Sequence, residues 1–168
     1  MESLETQILI IGSGLAGAIA ALSAAEENKK VILITNSKKL VSGNTRWAQG
    51  GIAYSNHTKD SMETFKKDIY TAGGNNNHEA AVDQLVNWGP KLIEDLLINK
   101  FKIPFEKNQH NQLIFTSEAA HTVARIIHCK DATGLTIHNQ ILRQVKKHAN
   151  ITIYTQHTAI DLLTYSHH

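Results

Sequence analysis

The chain has 168 residues, of which 42% are hydrophobic and 19% charged, and its formal net charge is +2. That length allows one domain with a sizeable core and is short for two. The composition is that of an ordinary globular protein, and the small net charge argues against a nucleic-acid partner.

The sequence carries no sign of a membrane or of secretion. Its acidic start, Met1–Glu5, lacks the basic and apolar regions of a signal peptide, and no apolar stretch approaches the ~20 residues needed to cross a bilayer. The one cysteine, Cys129, excludes an internal disulfide. We therefore expect a cytoplasmic protein with no membrane partner.

The first elements form a predicted βαβ unit. Gln7–Ile11 is a short apolar run that ends at a glycine, which is typical of a strand buried on both faces. A helix is predicted from Leu15 to about Asn28, because Ala, Leu, Ile and Glu dominate that stretch. Val31–Thr35 repeats the pattern of a buried strand, so the two strands are expected to be parallel.

The middle of the chain predicts loops and helices. Asn36–Tyr54 is a long polar stretch, and a loop of that length inside a compact domain is usually functional. A helix is expected to open near Asp60-Ser61 and to end at Gly73-Gly74. A second one should run from about His78 to Asn99, bent or broken at Gly89-Pro90. Phe101–Thr116 favours short strands and turns.

The last third predicts a helix and a return to strands. Thr133–Ala149 is expected to be helical, with an apolar side. That side consists of Leu135, Ile137, Ile141, Leu142 and Val145. Ile151–Thr155 and Thr158–Leu163 are interpreted as strands that pair beside the second one. The expected fold is α/β and Rossmann-like, with the 3-2-1 strand order of half a doubly wound parallel sheet.

A glycine motif lies between the first strand and the first helix. In Gly12-x-Gly14-x-x-Gly17, the first glycine permits a tight turn, the second lets a pyrophosphate approach the backbone, and the third lets helix and strand pack closely. Free N–H groups and the positive end of the helix dipole supply the anion site. An acidic residue normally follows the second strand to bind a ribose, but Thr35-Asn36 is neutral here.

A second constellation is Ser42–Ala53, which combines an aromatic ring, polar side chains and the pair Gly50-Gly51. The glycines could bring backbone N–H groups close to a ligand. The alternative is an ordinary long loop in which Trp47 merely packs. Composition alone leaves both interpretations open.

Two segments of this sequence resemble the L-aspartate oxidases, relatives of the succinate dehydrogenase and fumarate reductase flavoproteins. Ser42–Ala53 resembles their flavin-contacting loop. Glu118–Gly134, which reads Glu-Ala-Ala-His, then Arg-Ile-Ile-His, then Asp-Ala-Thr-Gly, resembles a later segment of that family. With the glycine motif, three segments in the right order span almost the whole chain. The family commonly has Ser or Thr followed by Lys at the end of the second strand rather than an acidic residue, and Asn36 replaces that lysine here.

The resemblance implies FAD as the cofactor. The glycine motif would lie at its pyrophosphate, Asn36 near its adenosine, and Thr158 and Ala159 at its adenine end. The implied pyrophosphate residues are Gly12, Ser13, Gly14, Leu15, Ala16 and Gly17. The implied flavin residues are Asn44, Thr45, Arg46, Trp47, Ala48, Gln49, Gly50 and Gly51.

The resemblance also implies a dicarboxylate site at Glu118 and His121. A carboxylate there could bind the ammonium group of L-aspartate and reject a substrate that lacks it. Three residues at this site differ from the family's pattern. Ala119 and Ala120 replace its glycine pair, and Ala124 replaces the first of its paired arginines.

The family's reaction transfers a hydride from L-aspartate to FAD and gives iminoaspartate, on the route to NAD. Its members are about three times as long as this chain, and place a capping domain, main catalytic groups and a second flavin-binding segment beyond these residues. Residues 1–168 are therefore expected to be the N-terminal part of an FAD-binding domain, inactive alone. The alternatives are a non-catalytic dinucleotide-binding module and one half of a split flavoprotein completed by a partner chain.

The ten histidines and the cysteine do not form a pattern of metal ligands, since no HExxH or CxxC spacing occurs. No metal is expected. Cys129 is interpreted as a small buried hydrophobic residue. Six histidines are expected to be exposed or at helix ends: His57, His78, His110, His138, His148 and His157.

Overall fold

A computed structural model describes residues 3–55 and 59–164. The chain divides into two compact units. The first unit comprises Met1–Trp47 and Ile137–His168, and the second unit comprises Ala48–Thr136.

The first unit is built on a parallel three-stranded sheet. Its strands are β1 (Ile8–Ile11), β2 (Val31–Thr35) and β5 (Ile151–Thr155), in the order β1-β2-β5. In the register, Ile8 lies opposite Val31, and Val31 lies opposite Ile151. The predicted α/β class, the parallel pairing and the 3-2-1 order are therefore confirmed.

Helix α1 (Leu15–Glu26) packs against this sheet through its small side chains. Four of its residues are buried: Ala18, Ala21, Leu22 and Ala25. Asn28 ends the helix in the left-handed region, at φ 60°. Its N–H donates to Ala25 and that of Lys29 to Ala24, the paired bonds of a Schellman motif.

The prediction that β1 and β2 are buried on both faces is wrong for the described residues. Along β2, Val31, Leu33 and Thr35 are buried, whereas the residues between them are half-buried. On β1, Leu9 and Ile11 are 52% and 55% exposed. An unbroken apolar run shows that both faces suit a core, but it does not show which of them is covered.

Helix α5 (Thr133–Lys147) is confirmed, and Ile137, Ile141, Leu142 and Val145 are buried while Leu135 is half-buried. The strand predicted at Thr158–Leu163 is not formed. The backbone turns into the left-handed region at Gln156, with φ 59°, and no described strand pairs with the residues that follow. A strand needs such a ladder of hydrogen bonds to persist.

The second unit contains two helices that pack around Phe65, Val82 and Val86. Helix α3 (Met62–Ala72) confirms the first predicted helix, and its N-terminus is capped by Ser61, whose hydroxyl accepts from the Thr64 N–H. Helix α4 (Glu79–Leu92) is capped in the same way by the side chain of His78.

The helical stretch predicted from His78 to Asn99 is formed and is not broken at Gly89-Pro90, because α4 continues through Pro90 to Leu92 and is followed directly by a π-helix, Ile93–Lys100. Proline removes one N–H from the ladder, and the remaining turns hold the helix together. Downstream, Phe101–Thr116 forms isolated bridges rather than full strands, at Lys107–Leu113 and Thr116–Ile126.

The long loop predicted at Asn36–Tyr54 is more structured than expected. It contains the short helix α2 (Asn44–Trp47) in the first unit and strand β3 (Ile52–Ala53) in the second. Strand β3 pairs antiparallel with β4 (Ile126–Ile127).

Candidate functional site

The glycine motif forms a tight loop between β1 and α1. Gly12 lies at φ 106°, a conformation that side chains rarely adopt. A Cβ on Gly17 would stand 2.0 Å from the Gly12 carbonyl oxygen, so the first turn of α1 passes against the end of β1 at a distance that only glycine permits. The loop is anchored to the sheet by the Gly12 N–H, which donates to the Ile34 carbonyl at 2.8 Å.

Backbone N–H groups remain available at the start of α1. The Leu15 N–H donates to the Thr45 hydroxyl at 3.1 Å. Among the described residues, the N–H groups of Ser13, Gly14 and Ala16 meet no acceptor. Unpaired donors at a helix N-terminus, together with its positive dipole, suit a pyrophosphate. The loop therefore fits the phosphate part of a dinucleotide.

Ser13 is held in this loop by hydrogen bonds of its hydroxyl and of its carbonyl group. Its side chain is buried, and its hydroxyl donates to the Leu40 carbonyl at 2.7 Å. Its own carbonyl accepts from His138 Nε2, also at 2.7 Å. Any contact of Ser13 with a pyrophosphate would therefore be made by its backbone N–H.

A cavity of about 240 Å³ lies beside the glycine loop at the carboxyl ends of β1 and β2. Its lining includes Gly12 and the three residues that the sequence assigned to the adenosine, namely Asn36, Thr158 and Ala159. These residues are far apart in sequence, and the structure brings them together. Ligands of open parallel sheets bind at this edge. The individual contacts stay predictions.

Trp47 is exposed. The interpretation of Ser42–Ala53 as an ordinary loop required this ring to pack, and the structure does not bury it. Its side chain is 68% exposed, and the guanidinium carbon of Arg46 lies 4.8 Å from its ring centroid. Asn44–Trp47 thus presents an indole ring and polar side chains at the surface of the first unit. Its contact with a flavin stays a prediction.

In the second unit, Glu118 lies against Gly50. A Cβ on Gly50 would stand 3.0 Å from Glu118 Oε1, so the bare glycine accommodates this carboxylate. Both residues line an open groove of about 400 Å³. The other lining residues are polar or charged: Gln49, Thr116, Ser117, His128, Lys130 and Asp131. The groove thus carries side chains of both charge signs.

His121 lies in a different setting from Glu118, although the two are linked by the His121 N–H, which donates to the Glu118 carbonyl at 3.2 Å. The His121 ring packs near Phe65, and its Nδ1 lies 2.8 Å from Arg125 Nη1. An arginine can only donate, so Nδ1 accepts and the proton of the neutral ring is on Nε2. His121 is absent from the lining of the Glu118 groove.

Arg125 is the centre of a buried ionic cluster that the sequence analysis missed. Its side chain is fully buried and makes two hydrogen bonds to Asp60, at 2.7 and 2.8 Å. It also donates to Asp68 at 2.6 Å, and Asp68 accepts from the Thr122 N–H and hydroxyl. The two carboxylates lie 65 and 57 residues from Arg125 along the chain, so no local pattern relates them.

These contacts change the acid–base properties of the cluster. Burial alone would raise the pKa of Asp60 and Asp68, but hydrogen bonds and charge attraction from Arg125 outweigh it and lower both pKa values. Bonding to Asp60 raises the pKa of Arg125 further. The cluster is therefore charged at neutral pH, and it ties the Thr122–Arg125 segment to α3.

The structure contradicts the prediction for one histidine and agrees with the prediction for Cys129. His138 was expected to be exposed or at a helix end, yet it is fully buried within α5. His78, His110, His148 and His157 are exposed or at helix ends, as expected, and His57 lies outside the described residues. Cys129 is buried as expected, and burial raises its pKa to about 11.

Within residues 3–55 and 59–164, no three His, Cys, Asp or Glu side chains come together as a metal site requires. In the same part of the chain, no helix is long and apolar enough to cross a membrane.

Comparison with known proteins gives three similarities. A family model described as FAD binding domain matches residues 7–167. The L-aspartate oxidase of Halobacterium salinarum is 37% identical over 163 residues, which are 97% of this chain and 31% of that protein. The L-aspartate oxidase of Clostridium acetobutylicum is 38% identical, with 96% and 36% covered. This chain spans about 30% of the length of the curated relatives it matches.

Solved structures share the fold. A quinol fumarate reductase from E. coli aligns with a TM-score of 0.85 at 22% identity, covering 93% of this chain and 26% of that one. A quinol-fumarate reductase with menaquinol aligns with a TM-score of 0.86 at 24% identity, covering 98% and 28%.

Proposed function

The chain belongs to the FAD-binding domain family, and from that premise we propose that it is the FAD-binding part of an L-aspartate oxidase. FAD, predicted from the sequence, is confirmed as the cofactor by this membership. The proposal concerns the substrate. The observation that carries it is the identity of 37% with an L-aspartate oxidase across nearly the whole chain.

FAD would be held by the first unit. The glycine loop offers free N–H groups to the pyrophosphate, and the cavity lined by Asn36, Thr158 and Ala159 lies beside it for the adenosine. When bound, the flavin accepts a hydride. The chain's own groups would bind its phosphates and orient the cofactor.

Aspartate would be selected by the second unit. Glu118 lines the polar groove, so its carboxylate would be available to the ammonium group of an amino acid, and Lys130 lines the same groove with the opposite charge. Succinate has the two carboxylates of aspartate but no ammonium group, so Glu118 would repel it. This charge would separate an oxidase of aspartate from an enzyme of simple dicarboxylates.

We further propose that the chain alone does not turn over L-aspartate, because it is about a third as long as the oxidases it resembles. In the cell it would act in the cytoplasm, within a longer polypeptide or with a chain that supplies the rest, on the route to NAD. FAD-loaded isolated chain should give no aspartate-dependent peroxide. Steady peroxide formation from it would refute this part of the proposal.

The substrate is tested in a chimera. This chain replaces the matching segment of the Halobacterium salinarum enzyme, and flavin absorbance first verifies that FAD is bound. We expect peroxide formation with L-aspartate and none with succinate. A flavin-loaded chimera that prefers succinate would contradict the proposal.

Glu118→Gln in that chimera should raise the KM for L-aspartate about tenfold or more, since a charge-assisted bond to the ammonium group is lost. It should also narrow the preference for aspartate over succinate. The matched control is Glu63→Gln, an exposed glutamate in the first turn of α3, which should leave the KM unchanged. Equal effects of both variants would remove Glu118 from the substrate site.

A further inference from the structure

His138 is a buried imidazole on an otherwise apolar helix face. It shares one side of α5 with Ile141, Leu142 and Val145, which follow at helical spacing, and all four side chains are buried. A leucine or phenylalanine would suit that face better, because a polar ring loses its hydration there. The imidazole is therefore explained by a specific bond rather than by packing.

That bond is made to the glycine loop. His138 Nε2 lies 2.7 Å from the carbonyl oxygen of Ser13. A carbonyl oxygen only accepts, so Nε2 carries the proton, and the neutral ring then has a bare Nδ1. Among the described residues, this Nδ1 is buried without any hydrogen-bond partner. The fold thus tolerates an unsatisfied acceptor in its interior to retain one donor towards Ser13.

The bond determines the orientation of a single peptide group. The described residues contain no cis peptide bond, so the Ser13 C=O and the Gly14 N–H point in opposite directions within one plane. His138 holds the C=O on the interior side, which directs the Gly14 N–H away from the interior. A bond to the C=O also polarises the peptide group and strengthens its N–H as a donor.

We propose that His138 is a positioning residue for the dinucleotide-binding loop, which presents the Gly14 N–H to the pyrophosphate of FAD by holding the Ser13 carbonyl from within the core. The Ser13 hydroxyl bond to Leu40 secures the same residue from a second direction. This role rests on FAD binding and is independent of the proposed substrate. A failure of the chimera to oxidise aspartate would therefore leave it untouched.

Nuclear magnetic resonance tests the geometry on the ligand-free chain. Imidazole nitrogen spectra of the wild-type chain should show His138 protonated at Nε2 and bare at Nδ1. In His138→Leu, the Ser13 carbonyl carbon and Gly14 amide nitrogen resonances should shift, because the bond between the imidazole and the carbonyl is gone. Ile141→Val shortens a side chain of the same buried face by one methyl group and removes no hydrogen bond, so it should leave both resonances in place. A bare Nε2 on His138 would overturn the proposal, because it could not donate to the Ser13 carbonyl.

Binding of ADP, which carries the adenosine and pyrophosphate of FAD, tests the consequence. His138→Leu should weaken ADP binding roughly tenfold, the effect of one hydrogen bond. Ile141→Val should change it less than about twofold. His138→Gln, which keeps a donor at a similar reach, should recover part of the affinity and remains informative if the leucine variant does not fold. Equal ADP affinities in all four proteins would refute the positioning role.

Discussion

The glycine loop of the first unit and the Arg125 cluster of the second unit hold their polar groups in different ways. The loop takes its shape from glycine backbone geometry within ten residues, from Ile8 to Gly17, and hydrogen bonds to Ile34, Leu40, Thr45 and His138 support it from outside. The cluster is fixed by charge, with carboxylates 57 and 65 residues away from the arginine. Local backbone geometry can therefore be recognised from a pattern in the sequence, whereas an ionic cluster of residues far apart in the chain cannot.

The largest expected effect comes from Arg125→Met. The change leaves the Asp60 and Asp68 carboxylates buried without their cation, and breaking a buried ionic contact in this way costs about 3–5 kcal/mol. We expect that loss in the free energy of unfolding of the second unit, measured by amide hydrogen exchange in α3 and α4.

Arg143→Met is the matched control, because Arg143 is exposed and bonds to Gln140 on the same helix. It should change the free energy of unfolding by no more than about 0.5 kcal/mol. Similar losses for both arginines would show that the cluster does not hold the second unit together.

Gly17→Ala should have the next largest effect. Its new Cβ would stand 2.0 Å from the Gly12 carbonyl oxygen, so β1 and α1 must separate. We expect a loss of about 1–3 kcal/mol in the free energy of unfolding, measured by urea denaturation followed by circular dichroism.

Gly89→Ala is the matched control. Gly89 lies inside α4, and apart from its chain neighbours and the backbone of its own helix, the nearest atom to an added Cβ is Cδ1 of Leu85, 3.9 Å away. Alanine favours a helix over glycine by about 0.5–1 kcal/mol, but its Cβ opposes the ring of Pro90, which follows directly, so the free energy of unfolding should change by less than about 1 kcal/mol. Equal losses for Gly17→Ala and Gly89→Ala would show that backbone approach is not what fixes the glycine loop.

The smallest expected effect is a dependence on pH. The folded pKa values of Asp60 and Asp68 are lowered, so the unfolded chain binds more protons than the folded one as the pH falls towards 4. The stability they contribute is complete well above the unfolded pKa of about 3.9 and is lost as the pH falls through the folded values. From pH 6 to pH 4, only part of this loss should be seen in the free energy of unfolding of the second unit.

Asp60→Asn and Asp68→Asn together should flatten that pH profile, because the groups that titrate are gone. Glu63→Gln removes an exposed carboxylate from α3 and should leave the profile unchanged. A wild-type stability that stays constant between pH 6 and pH 4, and down to pH 3, would contradict the ionic account of the cluster.

Much of the fold was predictable from short-range patterns. Apolar runs ending at Gly12 and Thr35 located β1 and β2, and the glycine spacing located the start of α1, because each depends on neighbouring residues. The strand predicted at Thr158–Leu163 failed for a physical reason. A strand forms only where a partner offers a ladder of hydrogen bonds, and its own residues do not reveal whether one is present.

In the candidate site, too, some residues were predicted from the sequence and others were not. The motif and the family resemblance named Gly12, Asn36, Thr158 and Ala159, which the structure brings to one cavity. His138 was wrongly expected to be exposed or at a helix end, because a histidine among apolar helix positions looks the same in sequence whether it faces solvent or a carbonyl. Composition left open whether Trp47 packs or is exposed, because a large ring is buried only if a surface exists to receive it, and the structure leaves it exposed.

Cys129 gives the chain a practical advantage. It is the only thiol, it is buried, and its pKa of about 11 leaves almost no thiolate at neutral pH. Alkylating reagents should therefore react with it very slowly. A cysteine introduced at an exposed position, such as in place of Trp47, would then accept a fluorescent or spin label at one defined site, on an otherwise native chain.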